Sequence, residues 1–285
     1  MIQSMTGYGK AIAELPQKKV TVEIKTLNSK SLDLNVRIPS LYKEKELDIR
    51  SKLSQSLVRG KIDFSIYLES TSGETLSAIN KDVVANYISQ LKEITNTSFE
   101  KALEIAMRLP DVLKTEREEL DEQEWQIVES AIDEALVEVN KFRSDEGNVL
   151  RQDFVDRVKA IQKLSEQVMH LDEERLIQLR EKMEKAIADI KQTVDENRFE
   201  QELIYYLEKL DITEEKVRLN NHLDYFLQEL ESDISNGKKL GFISQEMGRE
   251  INTTGSKSNY APMQKVVVQM KDELEKIKEQ LLNVL

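Results

Sequence analysis

"KKVTVEIKTLNSKSLDLNVRIP", residues 18–39, alternates apolar and polar side chains twice over. Val20, Val22 and Ile24 share one face of the first run, and Leu32, Leu34, Val36 and Ile38 share one face of the second. Successive side chains of a strand point to opposite faces, so a period of two reads as two half-buried strands. Between them "NSK" (28–30) reads as the turn of a hairpin, and Pro39 closes the second strand.

Outward from this pair the pattern changes period. "LYKEKELDIRSKLSQSLV" (41–58) becomes helical through Leu47, Leu53 and Leu57. "RGKIDFSIYLES" (59–70) returns to strand, with Ile62, Phe64, Ile66 and Leu68 on one face, and "SMTGYGKA" (4–11) supplies another strand. Beyond residue 80 almost everything reads as helix, over 80–95, 98–107, 124–144, 146–196, 199–232, 238–252 and 264–283. Pro110 and Pro262 are the prolines of that region and both fall at breaks. Leu150, Phe154, Val158, Ile161, Val168 and Leu171 give 146–196 one apolar stripe, suiting a long amphipathic helix or an antiparallel hairpin. The expected fold class is α+β. A small β-rich N-terminal domain (1–145) leads to a helical arm (146–198), whose stripe would meet a partner subunit, and then to a helical C-terminal domain (199–285).

Composition narrows the classes. The chain has 285 residues, 39% hydrophobic and 33% charged, which fits a folded, helix-rich protein and not a disordered one. No apolar run approaches the roughly 18–20 residues that span a bilayer, and "MIQSMTGYGK" lacks the pattern of a secretion signal. Cysteine is absent, which excludes disulfides, thiolate metal sites and thiol nucleophiles, so a cytoplasmic location is expected. The net charge of −12 is unevenly spread. Residues 71–230 carry 21 basic and 37 acidic groups, against 12 and 8 in residues 1–70 and 8 of each in 231–285. Both ends therefore remain free to meet an anionic partner.

Two segments concentrate chemistry. In "LDITEEKVRLNNHLDYFLQEL" (210–230), Asp211, Glu215, Arg218 and His222 fall within about 60° of one another on a helix, a quarter turn from Leu219, Leu223, Phe226 and Leu230. Such a stripe is either an ion-pair ladder or the lining of a cleft. A neutral imidazole there suits proton transfer or metal ligation; His170, the other histidine, has no comparable company. In "GKKLGFISQEMGREINTTGSKS" (237–258), Leu240, Ile243, Met247 and Ile251 form a buried face, while Glu246, Arg249 and Glu250 cluster on another. Two carboxylates one turn apart can share Mg²⁺ or Mn²⁺. The run from Asn252 to Ser258 offers hydroxyls and an ammonium suited to phosphate; equally, Asn252 and Gly255 suit a helix end. Gly255 is followed by serine and preceded by helix, so the run is no nucleotide-binding phosphate loop. Basic strand ends at Lys25, Lys30, Arg37, Arg59 and Lys61 suit a nucleic-acid backbone or ordinary edge protection.

"MIQSMTGYGKA", "TLNSKSLDLNVRIP", "RGKIDFSI", "SDEGNVLRQDF" (144–154), "NRFEQELIYYLEKLDITEEKVRLNNH" (197–222) and the 237–258 segment together resemble the YicC/YloC endoribonucleases, in order and end to end. The resemblance implies metal-assisted RNA cleavage in the cytoplasm by a ring-like homo-hexamer built largely through the N-terminal domain, its long helices making a clamp. The family's polar positions fall on Asp211, Glu214, Glu215, Arg218, His222, Glu246, Arg249, Glu250, Asn252, Ser256 and Lys257. Lys216, Gly241 and Gly248 depart from the usual Leu, Asp and Asn. The expected site has Glu215, His222, Glu246 and Glu250 as catalytic groups, with Glu215, Glu246 and Glu250 holding a divalent cation (Mg²⁺ or Mn²⁺). Arg218, Arg249, Asn252, Ser256 and Lys257 would bind phosphate there, and Lys30 and Arg37 would grip RNA further away. The alternative is a non-catalytic RNA-binding or scaffold oligomer in which these charges are ladders and caps.

Overall fold

A computed structural model describes residues 2–70, 77–115, 120–190 and 196–285 and is α+β. Its sheet is built from β1 (Gly7–Glu14), β2 (Lys18–Leu27), β3 (Leu32–Arg37) and β4 (Gly60–Ser70), with a 3-10 turn Ser40–Lys45 and helix α1 (Glu46–Leu57) between the last two. The alternating residues Val20, Val22, Ile24, Ile62, Phe64 and Ile66 are buried against Ile49, Leu53 and Leu57 of α1. The pairing differs from the expected hairpin. The strand order is β1-β2-β4-β3, so β4 lies antiparallel to β2 and parallel to β3, and β2 and β3 are not paired with each other. Periodicity specifies which face a strand buries and leaves its neighbour open; here α1 returns the chain so that β4 enters between them.

A second, smaller core follows. β5 (Ser77–Ile79) pairs antiparallel with β6 (Leu113–Thr115), and α2 (Lys81–Ile94) packs on α3 (Phe99–Ala106) through Val84, Ile88, Ala102 and Ala106. Asn80 and Ser98 cap α2 and α3, accepting from the amides of Val83 and Lys101.

Helix α4 (Glu122–Ile190) dominates the molecule. The separate helices expected at 124–144 and 146–196 are one helix as far as Ile190, because nothing between residues 144 and 146 breaks it: Ser144, Asp145 and Glu146 are tolerated in its interior, while 191–195 of the expected helix lie outside the described residues. Its first third, through Trp125, Val128, Ile132 and Val139, covers the sheet. At Gly9 strand and helix meet so closely that a Cβ would stand 2.2 Å from the Ala135 carbonyl oxygen, which is why β1 carries glycine there. Its middle, through Phe154, Val158, Ile161 and Val168, enters the C-terminal core instead.

The C-terminal core comprises α6 (Thr213–Leu230), α7 (Gly237–Lys257) and α8 (Ala261–Leu281) packed on α4, and α5 (Glu196–Leu210) leads into it. The helix expected over 199–232 is thus two. Asp211 accepts from both the amide (3.0 Å) and the hydroxyl (2.7 Å) of Thr213, a turn that ends α5 and starts α6. The chain ends close on its beginning: Ser4 and Val284 form an isolated bridge, and Ile2 lies in the C-terminal core. Among the described residues no helix is long and apolar enough to cross a membrane.

Candidate active site

The run "REINTTGSKS" is another point where the structure corrects the expectation. Asn252 and Gly255 do not end the helix; α7 continues to Lys257. Its hydroxyls bond back to the helix itself: Thr253 Oγ1 donates to Arg249 O (3.0 Å), Thr254 Oγ1 to Glu250 O (2.8 Å), Ser256 Oγ to Thr253 O (2.8 Å) and Ser258 Oγ to Thr254 O (2.6 Å). Gly255 serves packing: a Cβ would lie 3.1 Å from Val267 Cγ1 of α8. Ser256 and Asn252 remain exposed, so Ser256 keeps acceptor capacity toward solvent while its proton is engaged.

Helices α6 and α7 run antiparallel and are clamped at both ends. At one end Lys257 Nζ donates to Glu215 Oε1 and to the Asp211 carbonyl oxygen, both at 2.8 Å. At the other, Lys239 Nζ donates to Glu229 Oε2 at 2.5 Å and sits 5.2 Å from the centre of the Tyr225 ring. Residues spaced alternately four and three apart share one helix face. On α6 that face carries Glu215, Arg218, His222, Tyr225 and Glu229; on α7 it carries Lys239, Ile243, Glu246, Glu250, Thr253 and Lys257. The two lysines register the helices, so the stretch of α6 that carries Arg218 and His222 runs beside the stretch of α7 that carries Glu246, Glu250 and Thr253.

Depth divides the seam. Glu215 and Glu250 are 6% and 8% exposed, His222, Glu246 and Lys257 are half-buried, and Arg218, Arg249 and Glu214 face solvent. Arg218 pairs with Glu214 at 2.5 Å and Arg249 with Glu246 at 3.1 Å, each within its own helix. These are the ladders, and they cost little to open because exposed pairs are worth about 0–1 kcal/mol. His222 and the Glu250 carboxylate have no partner among the described residues, and Glu215 Oε2 is buried with no hydrogen bond. Asp211 is held below its ordinary value, first by the Thr213 hydroxyl and amide bonds and then by the Lys257 charge.

Arg175 of α4, absent from the expected set, fastens this end of the seam. Buried at 4% exposure, it donates to Lys257 O at 2.8 Å and to Leu210 O at 2.9 Å, closing the C-termini of α7 and α5 together. Its Nη2 lies 2.6 Å from Asp172 Oδ1 and forms an ion pair with it. Burial raises the Asp172 carboxyl more than the Arg175 charge lowers it. The signal is present in the sequence, since Arg175 continues the apolar stripe through Ile161 and Val168.

Lys30 and Arg37 are exposed at the N-terminal sheet, outside the α6–α7 seam. Among the described residues no three His, Cys, Asp or Glu side chains are grouped to hold a metal ion. Glu215, Glu246 and Glu250 share a seam but form no single coordination sphere within this chain, and Glu215 already has Lys257.

Comparison with known proteins covers nearly the whole chain. Residues 2–152 match the family model for the endoribonuclease YicC-like N-terminal region and residues 161–285 the model for the endoribonuclease YicC-like C-terminal region. The chain is similar to "Probable endoribonuclease YicC" of Clostridioides difficile (strain 630), at 33% identity over the full length of both chains. It is likewise similar to the protein of that name from Haemophilus influenzae Rd, at 28% identity over the full length of both.

Proposed function

The chain belongs to the YicC-like endoribonuclease family, and on that premise we propose that it cleaves RNA phosphodiester bonds in the seam between α6 and α7. One observation carries the reading. The Lys257–Glu215 and Lys239–Glu229 clamps join α6, which carries the unpartnered, half-buried His222 and the exposed Arg218, to α7, which carries Glu246, Arg249 and Glu250.

In the proposed reaction Arg218, Arg249 and Lys257 hold the scissile phosphate and its neighbour through charge-assisted hydrogen bonds. Arg218 and Arg249 reach it by leaving exposed partners on their own helices. Neutral His222 takes the proton of the adjacent 2′-hydroxyl. The new 2′-oxyanion attacks phosphorus, the bond to the 5′-oxygen breaks, and the departing oxygen takes a proton from the imidazolium or from water. The products carry a 2′,3′-cyclic phosphate and a 5′-hydroxyl. Since Glu215, Glu246 and Glu250 do not gather as a ligand set, no step passes through a cation.

A metal-assisted reaction is the second reading, favoured by the unpartnered Glu250 carboxylate one turn from Glu246. Work in the cytoplasm and assembly into the ring-like hexamer that the resemblance implies belong to the same proposal.

The test uses purified full-length protein and 5′-labelled single-stranded RNA, with His222→Ala as the control against contaminating nucleases. Cyclic-phosphate ends that persist in chelator and vanish in His222→Ala support the reading. Chelator-sensitive cleavage leaving 3′-hydroxyl and 5′-phosphate ends would replace it with the metal-assisted one. Binding without cleavage would leave the non-catalytic RNA-binding oligomer.

A further inference from the structure

Strand β1 stands at the edge of the sheet, paired with β2 on one side and with no strand on the other among the described residues. Eight residues long, it contains no proline, and alternates exposed Tyr8, Lys10, Ile12 and Glu14 with buried Gly9, Ala11 and Ala13. Edges of this kind are normally blocked, bulged or covered, because their outward N–H and C=O groups will pair with another strand. This one has no proline and an unbroken register with β2, and its two charges, Lys10 and Glu14, are of opposite sign and so can answer each other across a pair of copies. Along it runs a groove of about 490 Å³ between the strand and the first turns of α4, lined by Ile12, Ala13, Gln126, Ile127 and Ala131. Ile12 and Ile127, at 46% and 42% exposure, stand open on its two walls.

We propose that this edge pairs antiparallel with the same edge of a second copy, about a twofold axis at Ile12, joining two four-stranded sheets into one of eight strands. The proposal goes beyond RNA cleavage and does not depend on it; it names one surface for assembly.

The sequence of the strand selects both the partner and the register. In an isologous antiparallel pair each residue faces one of the same face, so the axis must pass through a residue. An axis at Lys10 sets lysine against lysine. An axis at Ala11 sets Lys10 against Ile12 and Glu14 against Tyr8, with no charge answered. An axis at Ala13 sets Ile12 against Glu14. At Ile12, isoleucine meets isoleucine and Lys10 meets Glu14 of the second copy, twice. The rows behind agree. Lys10 is already across from Glu23, 3.5 Å from its Oε1, and Glu14 is across from Lys19. The joined row then reads Glu23, Lys10, Glu14, Lys19, alternating in sign across four strands. On the buried side Ala11 meets Ala13, small enough to lie over the groove.

Absence of cysteine makes the test direct. Residues at the axis of such a pair bring their Cα atoms within about 4.5–5.5 Å, inside disulfide range. Full-length Ile12→Cys, oxidised at low micromolar concentration, is expected to double its apparent mass on a non-reducing gel, while Thr21→Cys, one strand further in on the same face, stays single. Adding Lys10→Glu to Ile12→Cys should abolish the cross-link, because Glu14 then faces a second carboxylate in place of an ammonium. An independent check mixes Lys10→Cys with Glu14→Cys, which should cross-link to each other and far less to themselves. Equal cross-linking of Ile12→Cys and Thr21→Cys, or none in either arrangement with the circular dichroism unchanged, overturns the proposal.

Discussion

Lys257 joins three groups that the sequence keeps apart: the Glu215 carboxylate, the Asp211 carbonyl and, through its own carbonyl, Arg175. Lys257→Met would leave Glu215, 6% exposed, with neither oxygen partnered. Breaking a buried pair from one side costs about 3–5 kcal/mol, and the partly exposed ammonium reduces this to roughly 2 kcal/mol. Urea unfolding measures it, and Glu215→Gln in the same chain should recover part of the loss; strict additivity would mean the two groups do not interact. Asp211 gives a pH signature. Its folded value is depressed, chiefly by Thr213, so its contribution is present above the unfolded value of about 3.9 and is lost as pH falls through the folded value. Asp172 runs the other way: burial raises it, so its ionised form costs stability that falling pH relieves. Asp211→Asn keeps an acceptor for Thr213 but cannot titrate. It should therefore flatten the acid limb of stability below about pH 4, by less than about 1 kcal/mol given its exposure. Urea midpoints of both chains across that range measure this, and identical slopes would remove Asp211 as the source. At this scale the sequence is informative about the α6 stripe, because charge spacing is a local property. Arg175 is harder to read, because a cation within an apolar stripe looks like an interruption until the two helix ends it closes are known.

Among the elements, α7 shows where local reading fails. Seven residues rich in Asn, Thr, Ser and Gly predict a helix end, yet each hydroxyl finds a carbonyl within the helix, and the packing of Gly255 against Val267 makes continuation favourable. The strands show the opposite balance. The limits of β2 fall at the predicted residues 18 and 27, since alternation marks a strand directly, but its partner is set by the path of α1 and the entry of β4, which no short window contains. Gly241 offers a clean test of α7. It lies in the helix interior, a Cβ there would meet nothing within 4 Å, and Ser244 Oγ donates to its carbonyl at 2.8 Å. Gly241→Ala should therefore stabilise the protein by about 0.5–1 kcal/mol, through lower entropy of the unfolded chain, with RNA cleavage unchanged. Gly248→Ala is the contrast, since its Cβ would come 3.3 Å from Leu274 Cδ2 and the Leu274 side chain would have to give. Thermal unfolding of the two variants should separate them in the order Gly241→Ala above Gly248→Ala; the reverse order would place the strain elsewhere.

Over the whole molecule, α4 is the member that makes a sheet unit and a helical bundle into one structure, lending its first third to one core and its middle to the other. Between those stretches sits Arg143, 1% exposed, with burial lowering its pKa. Its guanidinium donates to Thr26 Oγ1, Leu57 O, Met5 O and Arg59 O, all at 3.3 Å, and so ties α4 to β2, to the end of α1, to the approach of β4 and to the N-terminal segment. That same segment reaches the far bundle: Met5 N donates to Asn283 O at 2.8 Å and Leu285 N to Gln3 O at 2.9 Å. No sequence pattern announces this junction, because three of the acceptors are backbone carbonyls, which every residue owns, and their convergence depends on four separate elements. Arg143→Met matches the stem and removes every donor, so Thr26 Oγ1, Met5 O and Arg59 O lose it while Leu57 O keeps the Arg59 amide. Each buried acceptor left unmade costs about 1–3 kcal/mol, so a loss of at least about 3 kcal/mol is expected in urea unfolding, against a smaller loss for Arg143→Lys, which keeps the charge and some donors. Because Met5 is one of the four partners, the loss should be accompanied by faster hydrogen exchange at the amides of Met5 and Leu285, both far from the substitution in sequence. Destabilisation without that exchange would mean that Arg143 holds only the sheet and that the two ends of the chain close on each other unaided.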